Sequence, residues 1–88
     1  MISVETIDNN SFKVSVTKES STLHIVLLND LFHQDVSNNK LTKTELITKS
    51  FEFLLNRESN QSILKKFNLE VISQYFPEYI DEIKKLIL

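Results

Sequence analysis

The chain has 88 residues, 41% of them hydrophobic and 25% charged, with a formal net charge of −2. A chain of this length supports one modest core, burying roughly 60–65% of the surface it exposes when unfolded, and its composition excludes a disordered polar tail. The absence of cysteine excludes a disulfide framework, thiol catalysis and thiolate metal ligands, and the absence of glycine excludes a Walker loop or a GxGxxG fingerprint.

The start, MISVETIDNN, lacks a basic region followed by an apolar one, so no secretion signal is read. No apolar run approaches the roughly 18–20 residues of a membrane span. With the missing cysteine, this leads to the expectation of a cytoplasmic protein. The basic residues are nine lysines and one arginine, and Asn and Ile are frequent. That bias fits an AT-rich bacterial genome.

Ile2, Val4 and Thr6 alternate with Ser3 and Glu5, the period of two that marks a strand over 2–7. Ile7 breaks the alternation, so the strand bends or ends there. Asp8-Asn9-Asn10 makes a turn, in which Asn-Asn can supply left-handed conformations in place of glycine. Phe12, Val14 and Val16 alternate with Lys13, Ser15 and Thr17 in a second, half-buried strand. After the turn Lys18–Ser21, Thr22 to Leu28 reads as a third strand, apolar at Leu23, Ile25 and Leu27 and again at Val26 and Leu28. His24 falls on its polar phase. Short links make an antiparallel meander the economical arrangement.

Asn29 or Asp30 can cap a short helix bearing Leu31, Phe32 and Val36, followed by a loop over Ser37–Lys40. The clearest helix is Thr42 to Arg57. Thr42 and Glu45 stand at capping-box spacing, and Leu41 is placed for a hydrophobic staple with Leu46. Leu46, Ile47, Ser50, Phe51, Leu54 and Leu55 form one wide face. Glu58–Gln61 is turn-like. Ile63, Leu64 and Phe67 have the spacing of a short helix over Ser62–Phe67, and Asn68 can cap a further turn or two carrying Leu69, Val71, Ile72, Tyr75 and Phe76. Pro77 ends or kinks that helix and suits the first position of a last one. There Tyr79, Ile80, Ile83, Leu86 and Ile87 form the stripe, with acids toward the N-terminal end and Lys84 and Lys85 toward the other.

The expected fold is therefore a single α+β domain over 1–88. A three-stranded antiparallel meander (1–28) packs through a short helix or loop (29–41) against three to four helices (42–88). Neither half can bury its apolar face alone.

The segments Ser50–Glu58, Ser62–Leu64 and Phe67–Tyr79 read SFEFLLNRE, SIL and FNLEVISQYFPEY. Together they resemble a family of short uncharacterised bacterial proteins with an SFEFLLxRE…SIL…FxLxxIxxYFPEY pattern behind a strand-rich start. The resemblance implies a small soluble bacterial protein, and no reaction, cofactor or catalytic residue.

No catalytic, cofactor-binding or metal-binding set is read from the residues. His24 and His33 are the only histidines. No further ligands are spaced to complete a zinc site, although His33 sits between Asp30 and Asp35. Arg57 either satisfies its own helix end and a neighbouring acid or clamps an anion. Phe76 and Tyr79 around Pro77 either plug a corner between helices or, with Ile83 and Ile87, offer an interaction surface. No enzyme is expected, since no nucleophile stands in a motif with a base. The leading expectation is a protein–protein interaction or self-associating module, as a homodimer or with a protein partner, and without a membrane role. The alternatives are a nucleic-acid-associated regulator using Lys65-Lys66 and a small metal-binding protein or enzyme centred on a histidine. Residues 45–88 hold six basic and seven acidic residues, which argues against a phosphate-binding stripe.

Overall fold

In a computed structural model, which describes residues 1–87, three strands form the expected meander: β1 (Ile2–Asp8), β2 (Ser11–Thr17) and β3 (Ser21–Leu27). Ile2 pairs with Val16, Val4 with Val14, and Val14 with His24, all antiparallel. The register slips between Thr6 and Asp8, so the interruption at Ile7 is a bulge. The turn after it needs no left-handed residue. Asp8 closes it, its carboxylate accepting the Asn10 N–H at 2.9 Å. The two positive φ values among the described residues lie instead at Asn38 (50°) and Asn39 (61°), where the first helix ends. Asn takes the place glycine would usually hold there.

That helix, α1 (Asp30–Ser37), is capped by Asn29, whose side chain accepts the Phe32 N–H at 2.8 Å. The central helix α2 (Lys43–Leu55) starts with the complete capping box. The Thr42 hydroxyl accepts the Glu45 N–H at 3.1 Å, and the Glu45 carboxylate accepts the Thr42 N–H at 2.8 Å. Those hydrogen bonds hold the Glu45 carboxyl below its ordinary range. Lys43, in the first turn, reaches Asp30 at 2.5 Å, the Asn9 carbonyl at 2.7 Å and the Asn10 side chain at 3.1 Å. One ammonium thereby ties the β1–β2 turn to both helices. Its hydrogen bond and charge lower the Asp30 carboxyl.

The segment after α2 departs from the sequence reading. Ser62–Phe67 is not a helix. A 3₁₀ turn at Asn60–Ser62 gives way to extended chain at Ile63, then to β4 (Lys66–Asn68), which joins β3 in parallel. The sheet order is β1-β2-β3-β4. The physical reason lies in β3, whose outer edge needs partners for its backbone: the Ile25 N–H is taken by the Lys65 carbonyl at 2.7 Å. Residues 63, 64 and 67 fit a helical turn by spacing alone, and a strand of three residues has no period to betray it.

A 3₁₀ turn at Leu69–Val71 runs into the single turn of α3 (Ile72–Tyr75). Phe76 is extended, as the residue before proline should be, and α4 (Tyr79–Leu86) begins two residues after Pro77. The core lies between the inner sheet face and the helices. Phe12, Val14, Val16 and Val26 from the sheet meet Leu46, Ile47, Phe51 and Leu54 of α2, with Val36, Phe67, Leu69, Tyr79 and Ile83 closing the sides. No helix among the described residues is long and apolar enough to cross a membrane.

Candidate functional site

The inward phase of β3 is the reverse of the one its leucines suggest. His24 and Val26 face the core, buried with Leu28, while Leu23 is 60% exposed on the outer face. His24 is tolerated inside because both ring nitrogens are used. Nδ1 lies 2.7 Å from the Leu64 carbonyl and Nε2 lies 2.9 Å from the Thr22 hydroxyl. A carbonyl can only accept, so Nδ1 carries a proton, and in the neutral ring Nε2 then accepts from Thr22. Asn60, itself buried, donates to Thr22 at 3.2 Å and to the Ser20 carbonyl at 3.0 Å. The chain Asn60–Thr22–His24–Leu64 fastens the approach to β4 onto β3. His33 does similar work at the other end, its Nε2 donating to the Leu41 carbonyl at 2.6 Å and holding α1 to the start of α2. Among the described residues, no group of three His, Asp or Glu side chains could hold a metal ion.

Arg57 also serves its own surroundings. Its guanidinium lies 3.6 Å from the centroid of the Phe53 ring, donates to the Phe53 carbonyl at 3.1 Å, and stands 3.4 Å from the Glu78 carboxylate. Phe53 in turn meets Phe76 and Tyr79 edge-on, at 5.7 and 5.3 Å between centroids. This stack joins the end of α2 to the corner between α3 and α4.

The four residues read from the sequence as a surface do not form one. Tyr79 and Ile83 are fully buried, and Phe76 and Ile87 are half-buried. The Tyr79 hydroxyl donates to Ser50 at 2.5 Å, and Ser50 donates to the Leu46 carbonyl at 2.7 Å. Tyr79 therefore plugs the corner between helices. Phe76 lines the concave surface beside β4, and Ile83 lines a separate, more polar one between α2 and α4.

There the surface opens into a depression of about 340 Å³. Leu54 and Glu58 come from the end of α2, Ile63 and Leu64 from the approach to β4, Phe67 from β4, and Val71, Ile72, Tyr75 and Phe76 from the α3 segment. The lining is apolar except for Glu58 and Ser62. Leu64 is 47% and Tyr75 67% exposed. In the sequence these two read as core positions of short helices. They become a rim because the chain between them turns through β4 and a 3₁₀ turn. A second apolar strip, Leu23, Ile25 and Leu27, runs along the outer face of β3, flanked by Lys13, Ser15 and Lys66.

No family model matches the chain, and no curated protein or solved structure matches it.

Proposed function

We propose that the protein is a non-catalytic, intracellular interaction module, and that the groove beside β4 receives an apolar segment of another protein. The observation that carries this reading is the groove's lining. Leu64 and Tyr75 are exposed and Phe76 is half-buried, grouped in one concave surface at the edge of the sheet. Large apolar side chains grouped in a concave surface mark binding sites more often than scattered ones do. At about 340 Å³ the groove suits the anchor side chains of a segment. The non-catalytic half of the proposal is supported by the histidines, whose ring nitrogens are engaged in structural hydrogen bonds: His24 to Leu64 and, within β3, to Thr22, and His33 to Leu41. Lys65 and Lys66 are exposed, but they form only a doublet, which weighs against phosphate recognition as the main use of this surface.

The experiment is a selection of binders from a phage-displayed random peptide library, using the whole chain as bait. The enriched peptides should share a bulky apolar anchor and lose binding to Leu64→Ser and Tyr75→Ser. Both residues are exposed, so these variants should keep their stability within about 0.5 kcal/mol. No enrichment, or peptides indifferent to both substitutions, would contradict the reading.

Self-association is the second form of the proposal, favoured by the strip at Leu23, Ile25 and Leu27 on the open sheet face. Light scattering across a dilution series should then give a molar mass that rises with concentration and returns to the monomer in Leu23→Ser. A monomer throughout would remove this form.

A further inference from the structure

We infer that the segment received by the groove carries a lysine or arginine next to its apolar anchor, held by Glu58. This rests on the groove being the docking site and adds the chemistry of what docks. Among the described residues, Glu58 is the only charged one in the lining. It is half-buried, and its carboxylate forms no ion pair and no hydrogen bond with the described residues. Arg57 pairs with Glu78. Lys18 shares the depression on the other side of Glu58 without coming into ion-pair contact. A carboxylate on the wall of an apolar groove disfavours an acidic or purely apolar occupant, because the occupant would strip it of water without replacing the contact. A cation beside the anchor removes that penalty and supplies a charge-assisted hydrogen bond. The same acid repels acidic segments, so it acts on selectivity more than on total affinity.

The test compares the same peptide library on the native chain, on Glu58→Gln and on Glu58→Lys, with the melting temperature of each variant confirming the fold. The native chain should enrich lysine or arginine at a fixed spacing from the anchor. Glu58→Gln should lose that enrichment while keeping the apolar anchor, and Glu58→Lys should turn it toward Asp or Glu. A selected basic peptide should bind Glu58→Lys roughly tenfold more weakly, and the gap should narrow with added salt. Apolar anchors without charge preference would overturn the inference and leave the groove reading standing. A basic preference that survives both variants would assign the cation to a different acid and overturn it as well. No enrichment at all would overturn both. Self-association that the selected peptides and Glu58→Lys both abolish would make a second copy the occupant, and would overturn the assignment to a foreign segment.

Discussion

Replacing Tyr79 by alanine should destabilise the protein by about 3–5 kcal/mol, the usual cost of emptying a buried aromatic site. Small domains hold roughly 5–15 kcal/mol in total, so much of this chain's stability would be lost. The size of the effect follows from position. The ring is fully buried, packs edge-on against Phe53, and hydrogen-bonds through Ser50 to the backbone of α2. Tyr79→Phe keeps the ring and removes only the hydroxyl, at about 1 kcal/mol. The two variants also separate at high pH. Burial pushes the Tyr79 phenol well above its ordinary value of 10, against a smaller opposing effect of the Ser50 hydrogen bond. A group raised in the folded state contributes stability that is fully present below its unfolded value and is lost as pH rises beyond it. Above about pH 10 the native protein should therefore lose stability more steeply than Tyr79→Phe, with urea midpoints as the readout. A Tyr79→Ala protein that melts like the native one would return this residue to the surface.

His24→Leu should cost about 2–3 kcal/mol, although leucine fills nearly the same space. Leucine leaves the Leu64 carbonyl without its donor and breaks the path from Asn60 through Thr22. A buried polar group left without a partner costs about 1–3 kcal/mol, while Thr22, half-exposed, can turn to water. The loss should be local first. Hydrogen exchange at the Ile25 N–H, which is bonded to the Lys65 carbonyl at 2.7 Å, should speed up before exchange on the β2 side of β3 does. Unchanged stability and unchanged exchange would show that the histidine is not a fastener and would free it for chemistry.

Much of the fold is legible in the residues because the signals are local. Val14 and Val16 alternate with polar neighbours, so β2 can be read together with its inner face. Thr42 and Glu45 bond each other within one turn, so α2 announces its own start. Ile7 marks its bulge by breaking a period. What is not legible depends on distant partners. β3 is apolar on both phases, and which phase faces inward is decided by a polar residue whose partners lie at Thr22 and, 40 residues on, at Leu64. β4 is three residues long and exists because β3 offers it an edge. The groove is hidden for the same reason. Leu64 and Tyr75 are ordinary apolar residues in sequence, and only the turning of the chain between them leaves both on a rim. Glu58, read as part of a polar turn, gives no sequence signal of standing against an apolar wall.

The most direct test of the central claim is an NMR titration of the ¹⁵N-labelled chain with the best peptide from the library. If the groove is the working surface, amide shifts should concentrate at Leu64, Val71, Tyr75 and Phe76, and leave Leu23, Ile25 and Leu27 unmoved. Shifts confined to the outer face of β3, or spread evenly over the chain, would contradict it.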